Sequence, residues 1–266
     1  MKYDIQCCNN LEYIHSLPDH SVQLVITSPN YNIGKPYEVV KPIDVYLGEQ
    51  NAVLTALKPK LTSTASICYQ IGNIVDHRVV YPLDILMYPM FCKQGLKLRN
   101  RIIWSFNQGL HCKYRFSGRY ETIMWWTVSD KYIFNLDPVR VPQKYPGKKA
   151  FKGPNKGKLS SNPLGKNPGD IWHLPVVGHN HVEKTAHPCQ FPVELSTRLV
   201  LALSDVGDTI LDPYAGVATT LISACAQGRI ALGCDTQAEY VQIALDRLRA
   251  LEAGTLKIRG EGNAVY

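Results

Sequence analysis

Residues 208–220, Asp-Thr-Ile-Leu-Asp-Pro-Tyr-Ala-Gly-Val-Ala-Thr-Thr, read as a short apolar strand, a turn that contains glycine, and the start of a helix. A second apolar run, Ile230–Cys234, follows and ends at Asp235. A strand, a turn and a helix, followed by a strand that ends in an acid, form the usual layout of a nucleoside-binding site in a parallel sheet. The acid at the end of the second strand accepts hydrogen bonds from ribose hydroxyls. This stretch therefore predicts an α/β fold with a nucleoside-type cofactor.

The first acid of the turn, Asp212, indicates which cofactor fits. A carboxylate at this place repels a pyrophosphate, which counts against NAD. It tolerates a ligand with a positively charged amino acid end, as in S-adenosylmethionine. The sequence therefore favours S-adenosylmethionine over a dinucleotide. A plain strand–turn–helix without a ligand is the structural alternative.

Apolar runs and helical periodicities alternate along most of the remaining chain. The predicted strands are Asp4–Cys8, Gln23–Thr27, Ala65–Ile71, Arg101–Phe106, Thr122–Val128 and Thr209–Leu211, together with Ile230–Cys234. The predicted helices are Leu11–Leu17, Val45–Leu57, Pro82–Lys93, Phe191–Ser204, Thr219–Gln227 and Gln237–Glu252. This alternation predicts a mostly parallel sheet with helices on both faces.

The segment Thr27–Asn32 directly follows a predicted buried strand, at the sheet edge where ligands bind. It supplies a hydroxyl acceptor in Ser28, a backbone carbonyl in Pro29 and an aromatic face in Tyr31. An exocyclic amine is a poor nucleophile, because its lone pair is delocalised into the ring. Two acceptors for its N–H groups help the nitrogen to attack a methyl donor. The segment therefore suits a base that has left the duplex and stacks on Tyr31, and a proline turn with a buried tyrosine is the alternative.

The stretch from Lys93 to Lys166 contains 16 Lys and Arg residues and three acids, a net charge of +13, whereas the whole chain carries +7. Such asymmetry predicts a polyanionic partner. A solvated basic loop is the alternative. Residues 139–170 are rich in Pro, Gly, Lys and Asn, which predicts a long functional loop. The residues predicted to contact this partner are Lys113, Arg115, Arg119, Arg140, Lys144, Lys148, Lys149, Lys152, Lys156 and Lys158.

Together these segments resemble the β group of DNA amino-methyltransferases, which methylate cytosine N4 or adenine N6. The signature (Asp/Asn/Ser)-Pro-Pro-(Tyr/Phe) matches Ser28-Pro29-Asn30-Tyr31, and Asp-Pro-Phe-x-Gly-x-Gly matches the stretch from Asp212 to Ala218. Asn30 replaces the second proline, and Ala218 replaces a glycine. The catalytic motif precedes the cofactor motif, which marks the β group. Further matching pieces are Ser21–Ile26, Gly169–Trp172 and His187–Pro192, and the resemblance runs from about Tyr3 to Leu248.

The resemblance implies a Rossmann-like sheet of seven strands, one of them antiparallel, with a circularly permuted motif order and a small basic target-recognition excursion. It implies a catalytic part in residues 1–138, target recognition in 139–170, a cofactor-binding part in 171–254 and a tail in 255–266. The predicted cofactor residues are Asn9, Asn10, Phe191, Asp212, Tyr214, Ala215, Gly216, Thr219, Thr220 and Asp235.

The resemblance implies that the polyanionic partner is double-stranded DNA, so the cations named above are the predicted DNA-binding residues. It also implies a restriction–modification context, in which a cognate restriction endonuclease is a further partner. The recognition segment is short, which suggests that a homodimer helps to cover the duplex. Serine at the first catalytic position favours cytosine N4 over adenine N6, and both remain open. The alternatives of another class are an RNA or protein-amide methyltransferase, an NAD-binding oxidoreductase, and a non-catalytic DNA-binding module with a decayed cofactor site.

Bulk composition narrows the class of protein further. A chain of 266 residues with 45% hydrophobic residues can bury the core of one α/β domain. No apolar run reaches the length of a membrane span, and the start of the chain lacks a signal-peptide pattern. The eight cysteines form no Cys-x-x-Cys pair, which predicts reduced thiols without a metal site. The expected location is cytoplasmic.

Overall fold

The computed structural model describes residues 1–109 and 111–260, which fold around a sheet of eight strands. The strands of the chain, in order, are β1 (Lys2–Cys7), β2 (Val22–Thr27), β3 (Leu61–Ile71), β4 (Asn73–Asp76), β5 (Val79–Pro82), β6 (Lys97–Ser105), β7 (Tyr120–Thr127), β8 (Ile171–His173), β9 (Thr209–Asp212) and β10 (Ile230–Asp235). The helices are α1 (Asn10–Ser16), α2 (Ile43–Leu57), α3 (Leu83–Lys93), α4 (Val193–Leu203), α5 (Thr219–Ala226) and α6 (Ala238–Glu252). Strands β4 and β5 form a separate hairpin.

The large sheet has the order β1-β10-β9-β2-β3-β7-β6-β8. Strand β7 runs antiparallel to β3 and β6, and the other pairs are parallel. The predicted α/β sheet with one antiparallel strand is confirmed. The predicted number of seven strands is corrected to eight, because the short strand β8 pairs with β6 at the edge.

Each face of the sheet packs against three helices, which explains why the strands are apolar on both sides. In β2, Leu24 and Ile26 join the core on the side of α4, α5 and α6, whereas Val25 joins the core beneath α1, α2 and α3. The helix predicted across Pro89 forms as α3, with the proline inside it. Strands β2, β3, β9 and β10 lie between these two cores and run parallel, so their carboxyl ends share one edge of the sheet.

The β4–β5 hairpin was not predicted from the sequence. Its turn residues His77 and Arg78 both have positive φ angles, 46° and 73°. Such two-residue turns usually contain glycine or asparagine, and neither is present here, so the usual sequence signal is missing. The hairpin leaves β3 directly at Gly72 and thus starts beside the sheet edge that carries the predicted site.

Residues 139–170 contain no helix or strand apart from a 3-10 turn at their start, as predicted for a long excursion. Backbone bonds between Val141 and Lys166 (3.0 and 2.9 Å) close the excursion at its base. Of the predicted tail, Leu256 and Ile258 pack against the core, and residues 261–266 lie outside the described residues. Within the described residues, every helix is too short or too polar to cross a bilayer.

Candidate active site

The two predicted loops leave neighbouring strands of the sheet. Strands β2 and β9 pair in parallel, with Leu24 opposite Ile210 and Val25 opposite Leu211. Their carboxyl ends therefore point the same way. The Thr27 hydroxyl at the end of β2 donates a hydrogen bond of 2.7 Å to the carboxylate of Asp212 at the end of β9. The loop that starts at Ser28 and the turn that starts at Asp212 consequently meet at one place.

A cleft of about 460 Å³ opens where these segments meet. Of the predicted site residues, the following line it: Ser28, Pro29, Asn30, Tyr31, Phe191, Tyr214, Ala215, Gly216, Thr219 and Asp235. Asn9, Asn10, Asp212 and Thr220 are not part of the lining. The catalytic motif and most of the cofactor motif thus face the same cavity, although more than 180 residues separate them along the chain.

The catalytic loop is held in shape by its own side chains. The carboxylate of Glu38 accepts hydrogen bonds from three backbone N–H groups, those of Asn32 (2.8 Å), Ile33 (2.9 Å) and Lys35 (3.1 Å). The side chain of Asn32, a residue with φ of 60°, bonds to the backbone of Lys41 through both its oxygen and its nitrogen. These contacts constrain the backbone of the loop that carries Tyr31.

The hydroxyl of Tyr31 lies in a small polar cluster at the bottom of the cleft. It donates a hydrogen bond to the Glu121 carboxylate (3.2 Å) and accepts one from the Gln70 amide (2.6 Å). The Ser28 hydroxyl lies 3.1 Å from it. The Gln70 amide also bonds to Glu121. Burial and the charge of Glu121 raise the pKa of Tyr31 well above its ordinary value, so the phenol stays neutral.

Glu121 was not predicted as a site residue. Burial raises the pKa of its carboxyl group, although the hydrogen bonds from Tyr31 and Gln70 oppose that shift. The antiparallel pairing of β3 and β7 places the start of β7 beside the end of β3, with Ile71 opposite Thr122. The only available signal in the sequence was that Glu121 is one of three acids in the basic stretch from Lys93 to Lys166.

Asp212 lies beneath the cofactor turn, where it is buried. Burial raises its pKa to about 6, although the hydrogen bond from the Thr27 hydroxyl opposes this shift. It also accepts the backbone N–H of Tyr214 (3.1 Å), while the Thr220 hydroxyl donates to the carbonyl of Ile26 (3.2 Å). Both residues therefore tie the turn to the catalytic strand.

Asp235 closes the cofactor turn from the next strand. Its carboxylate accepts the backbone N–H groups of Gly216 (3.0 Å) and Gln237 (2.8 Å), and burial raises its pKa. Gly216 has a φ of 49°, and a β-carbon there would lie 3.3 Å from the His187 ring. Ala218, in place of the family's glycine, has a φ of 64°, so the turn keeps a glycine-like backbone at the cost of local strain.

The two asparagines after β1 differ in position. Asn9 caps helix α1, and its side-chain oxygen accepts the N–H of Leu11 (2.8 Å). Asn10 approaches the hydroxyl of Tyr214, where a hydrogen bond opposes the burial that raises the pKa of Tyr214 to about 12. Asn10 thus contacts Tyr214, which lines the cleft, without lining the cleft itself.

Three aromatic rings that were not among the predicted site residues pack together, and two of them, Tyr37 and His187, line the cleft. The Tyr37 ring stacks on His187 at 5.5 Å, and Tyr240 meets His187 edge-on at 4.6 Å. Burial lowers the pKa of His187 to about 4, so the imidazole is neutral at physiological pH. The Tyr37 contact connects the catalytic loop to the wall beside the cofactor turn.

The lining fits a nucleoside with a cationic end better than a phosphate ester. Among the described residues that line the cleft, Lys35 is the sole Lys or Arg, so no cluster of cations could clamp a pyrophosphate. Asp235 offers a carboxylate to hydroxyl groups, and Phe191 and Tyr214 offer aromatic faces. S-Adenosylmethionine has the matching groups, namely a ribose, an adenine ring and a positive charge.

The predicted DNA-binding residues divide into two groups. Arg140 is held by Asp137 (2.7 Å) and by the carbonyl of Gly165 (3.1 Å), so it supports the base of the excursion. Arg119 is half-buried and bonds to the carbonyl of Gly118 (2.9 Å). The others are exposed, namely Lys113, Arg115, Lys144, Lys148, Lys149, Lys152, Lys156 and Lys158. Phe116 and Phe151, 100% and 89% exposed, lie among them, a mixture suited to nucleic acid.

Comparison with known proteins agrees with this geometry. The sequence model of the N6_N4_Mtase family, described as DNA methylase, matches residues 22–246. The Type II methyltransferase M.BglII of Bacillus subtilis is 44% identical over 237 residues, which cover 89% of this chain and 66% of the relative, so the chain spans just under two thirds of that protein.

Two solved structures share the fold. The PvuII DNA methyltransferase (cytosine-N4-specific) superposes with a TM-score of 0.74 at 17% identity and covers 96% of this chain and 93% of its own. TTHA0409 of Thermus thermophilus, a putative DNA modification methylase solved with S-adenosyl-L-methionine, gives a TM-score of 0.68 at 25% identity, with 99% and 100% covered. The chain therefore belongs to the N6/N4 DNA methylase family, the S-adenosylmethionine-dependent DNA amino-methyltransferases.

Proposed function

We propose that this protein transfers a methyl group from S-adenosylmethionine to the exocyclic amino nitrogen of a base flipped out of duplex DNA, with cytosine N4 as the favoured target. The observation that carries the proposal is that Ser28–Tyr31 and the turn at Tyr214–Gly216 line one cleft. Serine at the first catalytic position supports cytosine N4, as the family resemblance implies. Adenine N6 is the second candidate, because the same acceptors suit either amine.

The proposed mechanism assigns each part of the cleft a task. The bound cofactor supplies an electrophilic methyl group, while the protein positions the amine. The hydroxyl of Ser28 and the carbonyl of Pro29 accept the two N–H groups, which frees the nitrogen lone pair for attack. The Tyr31 ring stacks on the flipped base. Asp235 binds hydroxyl groups of the cofactor, and Asp212 and Thr220 keep the turn in place from below.

We further propose that the exposed cations of residues 139–170 contact phosphates and that polar residues of this excursion read the target sequence. The catalytic part is then 1–138 and the cofactor-binding part 171–254. A homodimer and a cognate restriction endonuclease are the proposed partners, in keeping with the Type II name of the relative M.BglII. A cytoplasmic location follows from a substrate of intracellular DNA.

The test is to incubate the protein with DNA and S-adenosylmethionine and to analyse the digested nucleosides by mass spectrometry. N4-methylcytosine is the expected product. N6-methyladenine instead establishes the second candidate. A third outcome is DNA that gains no methyl group, with no cofactor binding in calorimetry. That outcome points to a non-catalytic DNA-binding module. This candidate is motivated by Asn30, which stands in place of a proline, and by Ala218, which stands in place of a glycine.

A further inference from the structure

We propose that Ser28, Tyr31 and Glu121 form a proton relay, which carries the proton released by the substrate amine to the carboxylate of Glu121. This inference rests on the proposed function, because it concerns the same cleft. It starts from a chemical requirement: an amine that gains a methyl group must lose one proton, and the residues of the catalytic motif do not include a carboxylate that could accept it.

The hydrogen bonds of the cluster fix the direction of the relay. A phenol has one hydrogen, and Tyr31 donates it to Glu121, 3.2 Å away. The contact between Ser28 and Tyr31, at 3.1 Å, must then use the hydrogen of the serine hydroxyl. The lone pairs of the Ser28 oxygen remain free to accept an N–H from the amine. Each donor therefore points away from the substrate and toward the carboxylate.

The surroundings of Glu121 suit a proton acceptor. Burial raises its pKa, and the other influences are the hydrogen bonds of Tyr31 and Gln70, which lower it. On the neighbouring strand β6, the residue paired with Glu121 is Trp104, which does not titrate. The charged or titratable neighbours of Tyr31 are Glu121 and Cys189. Among the described residues, no Lys, Arg or His contributes to the pKa shift of Glu121, so the carboxylate keeps its affinity for a proton.

Gln70 has a positioning role in this cluster. Its amide bonds to both the Tyr31 hydroxyl and the Glu121 carboxylate. An amide N–H₂ group can donate to both at once without gaining or losing a proton. It therefore holds the two oxygens together and leaves the transfer itself to the hydroxyl groups.

The atoms balance in one turnover. The N–C bond forms as the S–C bond of the donor breaks, and the electron pair of the S–C bond stays on sulfur. The amine proton passes to the Ser28 oxygen, the hydroxyl hydrogen of Ser28 passes to the Tyr31 oxygen, and the hydroxyl hydrogen of Tyr31 passes to Glu121. Solvent takes the proton from Glu121 after product release.

The experiment compares E121Q and Y31F with wild type in single-turnover methylation of duplex DNA from pH 5.5 to 9. Each variant is expected to be slower by about 100-fold, the range of a lost acid–base group. Wild type should lose rate as pH falls through the pKa of Glu121, because the protonated carboxyl cannot accept. E121Q should lack that acid limb. The control Y120F removes a neighbouring hydroxyl outside the cluster and should stay within twofold of wild type.

Two binding measurements separate the relay from a structural role: calorimetric affinity for S-adenosylhomocysteine, and the fluorescence of 2-aminopurine placed at the target base. Both should match wild type in E121Q and Y31F. An E121Q variant that keeps the wild-type rate and acid limb overturns the relay, and so do two variants whose slow rates come with equally weakened binding. A wild-type protein that methylates no DNA overturns the proposed function instead, which is a different outcome.

Discussion

At the scale of the residue, Gly72 packs closely against Tyr31, a residue of the catalytic cleft. A β-carbon there would lie 3.0 Å from the ring of Tyr31, closer than ordinary carbon contacts. The absence of a side chain at Gly72 therefore allows Tyr31 to reach its polar cluster. Under the proposed function, we therefore expect the residue that follows β3 to influence catalysis through the position of Tyr31.

The substitution Gly72→Ala should displace the Tyr31 ring and lower turnover by about ten- to hundredfold, since sub-ångström misplacement of a reacting partner is costly. Cofactor affinity should not change. Gly48→Ala is the matched control, because a β-carbon at Gly48, within α2, meets no atom within 4 Å. Steady-state kinetics of both variants provide the check, and equal turnover of G72A and wild type would contradict this packing role.

Asp212 gives a prediction on pH and stability. Its pKa is about 6 in the folded protein, above its ordinary value of 3.8, so the folded state holds this proton more tightly than the unfolded state. Stability must then fall as pH rises from about 4 to about 6, and this loss stays constant above pH 6. In Asp212→Asn, that contribution disappears. Urea unfolding of wild type and D212N across this pH range measures the difference between their free energies of unfolding. A difference that does not change with pH would contradict the prediction.

At the scale of the element, the conformation of the loop between β2 and α2 depends on a single carboxylate. Glu38 satisfies three backbone N–H groups of this loop, and the loop carries Tyr37 to its stack on His187. Loops can open locally without unfolding the domain. The catalytic loop is therefore expected to lose order before the sheet does when this anchor is removed.

The substitution Glu38→Ala should raise the rate of proteolysis between residues 29 and 42 and lower turnover about tenfold, while the free energy of global unfolding changes by less than about 1 kcal/mol. The control is Glu49→Ala, which removes only the exposed ion pair with Lys41. Limited proteolysis and thermal unfolding are the measurements. Equal protease resistance of E38A and E49A would show that the anchor is dispensable.

Local sequence patterns were sufficient for most strands and helices, because each of them buries apolar residues with a clear period. The meeting of Ser28–Tyr31 with the cofactor turn followed from two loops at the carboxyl ends of parallel strands. Glu121 and Gln70 could not be predicted in the same way, because their positions depend on the antiparallel register of β3 and β7. Register is a property of the assembled sheet and leaves little trace in either strand alone.

At the scale of the whole molecule, charge is unevenly distributed along the chain. The exposed lysines of residues 139–170 lie on one excursion, whereas the rest of the chain outside residues 93–166 is net acidic. Polyanions should therefore approach from one side. This arrangement predicts a strong dependence of DNA affinity on salt, because each contacted phosphate releases counterions.

The double variant Lys152→Gln/Lys156→Gln should weaken DNA binding and reduce the slope of log affinity against log salt by about 0.9 for each lost contact. Cofactor affinity should be unaffected. Lys2→Gln/Lys257→Gln has the same change in net charge and replaces exposed lysines outside the excursion. Fluorescence anisotropy with labelled duplex at several salt concentrations is the measurement, and equal slopes for the two double variants would contradict the proposed DNA surface.

The closure of the excursion at Val141 and Lys166 has an evolutionary consequence. Because the two ends meet through paired backbone bonds, the chain leaves the domain and returns at nearly one point. An insertion of this kind can be exchanged for another of different length without separating the strands on either side. If residues 139–170 read the target sequence, as proposed, then exchanging this excursion would change the target while the cleft stays the same.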